Sequence, residues 1–206
     1  TYLGPDAGGR VLRGRITRGE YERLRAVIWL SDLRGFSALS ERVDGGTVVA
    51  LLNEYFDGIG AALVAEGGEI LKFIGDAVLG VFALPDDDPG PMCAAALRAA
   101  HAALATFDDR MRHQPAAEPI RFGLALHVGD VVYGNIGTAD RLDFTVVGPA
   151  VNRAARIADL CKTLERRVLV SEDVARHASL PLLSVGRHPL RGLDAAVELF
   201  TVPDAA

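Results

Sequence analysis

Two strand-length apolar runs, Glu69–Ile74 and Ala77–Phe82, are separated by nothing but Gly75-Asp76. So short a connection admits only an antiparallel hairpin, because a parallel pair needs a long crossover. The hairpin constrains its surroundings, since both flanks carry helical patterns. Before it, Ser40–Ala65 places Val48, Leu52, Tyr55, Ile59 and Ala62 at steps of four and three, the stripe of a core-facing helix. After it, Cys93–Met111 does the same with Cys93, Leu97, Ala100, Leu104, Phe107 and Met111. Ala26–Ser31 is a short apolar run ahead of the first helix. In Ile120–Val132, behind the second, Ile120, Phe122, Leu124, Leu126 and Val128 alternate, which predicts a half-buried strand. The order is β-α-β-β-α-β. It predicts an α+β fold with a ferredoxin-like core, an antiparallel sheet with helices packed on one face. Extra elements follow: a strand at Phe144–Val147, a helix opened by Gly148-Pro149, and closing strands at Val168–Val170 and Val197–Val202.

At 206 residues the chain is long enough for one domain with an extension. Residues 1–24 read as an N-terminal arm or linker remnant, with Arg10, Arg13, Arg15, Arg18 and Arg23 set among glycines. Asp6 is placed to cap a short helix over Ala7–Leu12. Residues 25–206 form the domain. The first residue is Thr, so the chain is expected to be a piece of a longer protein. The net charge of −5 excludes a general nucleic-acid binder, which needs a basic stripe. The longest apolar runs, Ala26–Leu30 and Ala77–Leu84, are too short for a membrane helix. Cys93 and Cys161 lie far apart without metal spacing, which fits a reducing, cytoplasmic compartment.

Asp32 follows the first strand immediately and precedes Leu33-Arg34-Gly35-Phe36-Ser37. A carboxylate there is placed to hold a divalent cation, and Gly35 lets backbone N–H groups of the next helix start approach an anion. Taken alone, Asp32 reads first as a helix cap. Asp76 taken alone reads first as a turn residue. The pair changes that reading: on adjacent strands, two carboxylates beside a glycine-lined helix start make a place for Mg²⁺ and phosphates. Lys72 lies in the strand before Asp76, where an edge-strand charge against aggregation is the alternative. Asn152, Arg156 and Asp159 share one face of the third helix; Val151, Ala154, Ala158 and Cys161 share the other. A polar stripe of that kind is also the ordinary wet side of a surface helix. His127 reads as a structural histidine. His101, His113, His177 and His188 show no ligand spacing, and Asp86–Asp88 reads as a solvated loop capping the second helix.

Together these segments resemble the class III nucleotidyl cyclase catalytic domain over about Arg25 to Val202. The resemblance is carried by Ser31-Asp32-Leu33-Arg34-Gly35-Phe36, Lys72-Phe73-Ile74-Gly75-Asp76, His127-Val128-Gly129, and Thr145-Val146-Val147-Gly148 followed by Asn152-Arg153-Ala154-Ala155-Arg156. It implies an adenylate cyclase that converts ATP to 3′,5′-cyclic AMP and pyrophosphate. Asp32 and Asp76, with the Leu33 carbonyl, correspond to the ligands of two Mg²⁺ or Mn²⁺ ions. Lys72 resembles the lysine that selects adenine, Asn152 the residue that orients the ribose, and Arg156 the one that stabilises charge on the reacting phosphate. Gly35 and Phe36 would border the phosphates, and Arg191 would supply a further phosphate contact, because the residue after the His-x-Gly segment is Asp130 rather than a base. The resemblance also implies a homodimer whose sites are split between chains, and an N-terminal regulatory region outside this sequence. Seven residues before Asn152 the commonest pattern has Asp; here it is Thr145. That residue marks a subgroup often stimulated by bicarbonate. A threonine hydroxyl accepts from adenine or donates to guanine. A guanylate cyclase and a catalytically silent nucleotide-binding or dimerisation module are the alternatives.

Overall fold

The computed structural model describes residues 19–84, 88–113, 120–138, 142–192 and 195–203. The elements are β1 (Tyr21–Leu33), α1 (Phe36–Ser40), α2 (Gly45–Ala65), β2 (Glu69–Ile74), β3 (Ala77–Ala83), α3 (Gly90–His113), β4 (Phe122–Gly137), β5 (Leu142–Val147), α4 (Pro149–Thr163), β6 (Val168–Ser171), α5 (Glu172–Ala175), β7 (Leu183–His188) and β8 (Val197–Thr201). They build one eight-stranded sheet in the order β2-β3-β1-β4-β6-β8-β7, with β5 paired to β4. All pairings are antiparallel except β4 with β6.

The βαββαβ plan read from the sequence is present, and α2 and α3 lie together on one face. There Val27 and Trp29 of β1 and Phe82 of β3 pack with Tyr55, Ile59 and Leu63 of α2 and with Leu97 and Phe107 of α3. Asp44 caps α2 by accepting from the Gly46 and Thr47 amides. In length and composition α2 could cross a membrane, which a search for unbroken apolar runs overlooks, but Leu51, Tyr55, Ile59 and Leu63 are buried in this core. The close approach of α2 to the sheet requires Gly80: a Cβ there would lie 2.4 Å from a Leu63 methyl.

The opposite face is covered too. Ala26, Ile28, Leu79, Val81 and Val146 pack beneath Ala150 and Ala154 of α4. Further along, Ala125, Leu169 and Leu199 meet Ile157, Ala158 and Cys161. This overturns the half-buried reading of Ile120–Val132, since every residue from Phe122 to Val128 is buried. The cause is α4, an element beyond the core plan that closes the second side of β4. Ile120 is buried but lies outside the strand.

Other differences are of extent. β1 begins at Tyr21, within the segment read as an arm, and pairs with β4 along its whole length, from Tyr21 opposite Gly134 to Leu33 opposite Phe122. Asp32 is therefore inside the strand rather than after it. The helix expected over Ala7–Leu12 lies outside the described residues, as do Asp86 and Asp87. Asp88 accepts a 2.9 Å hydrogen bond from the Gly90 amide at the start of α3. β7 and α5 are additional.

His127 is a structural histidine. It is buried on β4, with Nδ1 2.9 Å from the Ser171 hydroxyl. Burial, reinforced by nearby Arg153, pushes its pKa down to about 4, against the opposing pull of Asp173. The folded state thus holds His127 neutral while the unfolded chain takes up a proton near pH 6.5. Stability from this group is complete above about pH 6.5 and is lost as pH falls toward about 4. Between pH 7 and pH 5 the expected loss is about 2 kcal/mol. Urea unfolding of wild type and His127→Asn at the two pH values checks this, and the variant should lack that part of the pH dependence.

Candidate active site

Asp32 sits on β1 opposite Gly123 of β4, on the face shared with Ala26 and Ile28. Its neighbour Ser31 faces the other way, where its hydroxyl accepts from the Trp29 indole at 3.1 Å and the Tyr55 hydroxyl at 2.9 Å. Asp32 has no such network. Its Oδ1 is buried without a hydrogen-bond partner. An orphaned carboxylate oxygen is costly, and ionised it is costlier. Burial raises the Asp32 pKa; the Arg34 guanidinium opposes the rise, and the charges of Asp76 and Asp159 add to it.

Asp76 occupies the Gly75-Asp76 turn between β2 and β3, where Gly75 has φ 63°. Because β3 pairs with β1, with Ser31 opposite Val78, the turn comes beside the end of β1 that carries Asp32. Two carboxylates that repel each other, one with an unsatisfied buried oxygen, fit a divalent cation. Among the described residues no three His, Cys, Asp or Glu side chains cluster as a protein-only metal nest. Leu33 is the last residue of β1. Gly35, with φ 71°, turns the chain into α1, and Phe36 packs partly against the core.

Lys72 and Thr145 belong to a second group. Lys72 on β2 donates to the Asp143 carboxylate of β5 as an ion pair. Thr145 is buried two residues further along β5, opposite Gly134. A third group lies on α4. Asn152 is exposed in its first turn, and Arg156 follows one turn later, half-buried. A Cβ on Gly192 would sit 3.5 Å from Arg156 Nη2, so the guanidinium borders the turn made by exposed Arg191 and Gly192. Of the apolar α4 stripe, Ala154, Ala158 and Cys161 are buried, joined by Ala150 and Ile157, while Val151 is half-buried.

The charges of Arg34, Asp76 and Asp159 act on Asp32, while Lys72 pairs with Asp143 and Arg156 borders the Arg191-Gly192 turn. The sequence reading missed Asp143, although its alternation with Thr145 puts both on one side of β5. Two buried thiols are excluded as nucleophiles, because burial pushes Cys93 and Cys161 up to about 12. A cavity of about 540 Å³ lies elsewhere, bordered by Arg34, Arg121, Lys162 and Arg167 near the C-terminal ends of α3 and α4.

The geometry has close counterparts. A family model for the adenylate and guanylate cyclase catalytic domain matches residues 20–200. An adenylate cyclase of Anabaena cylindrica is 34% identical over 189 residues, covering 86% of this chain and 36% of its own length. The chain thus spans about a third of the curated relatives it matches. A bacterial light-regulated adenylyl cyclase structure superposes with a TM-score of 0.85 at 29% identity, covering 99% of this chain and 59% of that one. The guanylyl cyclase Cya2 superposes with a TM-score of 0.70 at 27% identity, covering 89% and 95%. With this match over residues 20–200 and this identity to the Anabaena enzyme, the chain belongs to the family of adenylate and guanylate cyclase catalytic domains.

Proposed function

We propose that this domain converts ATP to 3′,5′-cyclic AMP and pyrophosphate, in the cytoplasm, at two composite sites of a two-fold homodimer. The observation that carries the reading is the buried, unpartnered Asp32 oxygen beside Asp76. Asp32, Asp76 and the Leu33 carbonyl would hold two Mg²⁺ or Mn²⁺ ions, whose Lewis acidity acidifies the ribose 3′-hydroxyl and neutralises the triphosphate. The other half of each site comes from the second chain. There Asn152 orients the ribose, and Arg156 meets the charge that grows on the α-phosphate as the 3′-oxygen attacks in line. Gly35 and Phe36 bring backbone N–H groups to the phosphates, and Arg191 adds a contact from its exposed turn.

Choice of base rests on Lys72. Its ammonium donates to adenine N1, whereas guanine N1 carries a proton and needs an acceptor. Thr145 adds a hydroxyl that serves either base. It supports guanylate cyclase activity as the second reading, as does the likeness to Cya2. Thr145 also motivates a bicarbonate response, measured as a rise in turnover at constant pH and ionic strength. The rest of the longer protein would carry the regulator.

Three outcomes are expected. Purified protein with Mn²⁺ or Mg²⁺ should turn ATP into cyclic AMP faster than GTP into cyclic GMP, by chromatographic product identification; the reverse order selects the second reading. Lys72→Glu should lower kcat/KM for ATP by about 1–3 kcal/mol, the cost of a mismatched desolvated acceptor. Asp76→Ala and Arg156→Ala should each be inactive alone. Mixed, they should regain up to about half of wild-type activity, since one site of each heterodimer keeps every residue. If subunit exchange is demonstrated and no activity returns, the composite site is wrong.

A further inference from the structure

β2 does not alternate regularly. Its pairing with β3 runs Ile74 with Ala77, Phe73 with Val78 and Lys72 with Leu79, then shifts, so that Ile70 meets Gly80 and Glu69 meets Val81. Leu71 is thus an extra residue, a β-bulge. In a regular strand, residues three apart face opposite sides. Here Glu69 and Lys72 oppose Val81 and Leu79, which belong to the same face. Ile70 and Phe73 are sent to the α2 face, where Ile70 meets Gly60 and the Phe73 ring lies 4.3 Å from that of Phe56.

Both polar side chains on that face of β2 reach the β4–β5 hairpin. The Tyr133 hydroxyl of β4 donates to Glu69 at 3.4 Å. Lys72 donates to Asp143 of β5. The rings of Tyr133 and Phe144 meet at a tilt of 56°, with centroids 4.3 Å apart. The two hairpins are therefore strapped together, and the end of the strap is Lys72. Its side chain is 25% exposed, against 59% for Asp143. An ion pair that open gives little stability. Its effect is on geometry. A free lysine stem has many rotamers to lose when it engages a ligand. Tied to Asp143 by one N–H, the ammonium keeps two donors, next to buried Thr145 on the same side of β5.

We propose that Asp143 is a positioning residue for base selection: with the bulge at Leu71, it holds the Lys72 ammonium at the purine edge before nucleotide arrives. The proposal rests on the reading of Lys72 as the adenine-selecting donor, and the test separates the two. Steady-state kinetics with ATP and with GTP are measured for wild type, Asp143→Asn, Asp143→Ala, Asp143→Glu, Lys72→Met and the Lys72→Met/Asp143→Asn pair, with thermal unfolding of each. Asp143→Asn and Asp143→Ala should lower kcat/KM for ATP by about five- to tenfold, mainly through KM, the scale of one immobilised long side chain. GTP turnover should change little, so the ATP-to-GTP ratio falls. Asp143→Glu should restore most of the ratio, and Asp143→Asn should add nothing once Lys72 is Met. An equal loss for both nucleotides would mark a merely structural role and overturn the proposal. So would an unchanged ratio in both neutral variants while Lys72→Met lowers it. If Lys72→Met also leaves the ratio unchanged, the adenine-selecting role itself fails.

Discussion

The pairing of β1 with β4 fixes which side of the sheet every residue of β1 faces. It runs unbroken from Tyr21 to Leu33. Slipping it by one residue would exchange the two faces of β1. Val27, Trp29 and Ser31 would then lose the α2 core, and Asp32 would move into it. In the observed register Ser31 finishes a hydrogen-bonded pair with Trp29 and Tyr55, while Asp32 is left on the α4 face with one oxygen unsatisfied. The unsatisfied carboxylate is thus a by-product of the register that builds the core. Burying Trp29 and Tyr55 fully is worth several kcal/mol by area, at about 25 cal/mol per Å². That is ample to hold one awkward carboxylate in place.

Electrostatics then separates the chain into regions. Around Asp32 negative charge accumulates, with Arg34 as the cation that opposes it. Lys72 is occupied by Asp143, and Arg156 borders the Arg191-Gly192 turn. None of these regions alone has the charge balance of a finished catalytic centre. A second chain and a pair of cations would supply what each lacks, which is why the proposed activity belongs to an assembly.

Much of the architecture was legible because it rests on local periodicity. The Gly75-Asp76 hairpin and the stripes of α2 and α3 need only neighbours three or four residues away. The N-terminal part of β1 was hidden because Glu22, Arg23 and Arg25 interrupt its apolar text, and those residues are satisfied by a partner strand about a hundred residues later. The double burial of β4 depends on where α4 lands, which no window on β4 contains. β7 was missed because its register shifts between Ser184 and Gly186, breaking the alternation that marks a strand. At the site, Asp32 and Asp76 stood out by their positions at a strand end and a turn. Asp143 did not, since its significance is a contact with a strand some seventy residues away.

The bulge in β2 sorts genetic change into two kinds. Substitutions at Leu71 alter what that position packs against but leave the strand one residue longer than its partner. Length is different. Removing a single codon between Glu69 and Lys72 would restore strict alternation and leave those two side chains two residues apart, still on one face. Keeping the length but straightening the strand would instead put them on opposite faces, and one end of the strap would have to let go. The contact between the two hairpins thus depends on residue count and bulge together: three steps with the bulge, or two without it, keep Glu69 and Lys72 on one side.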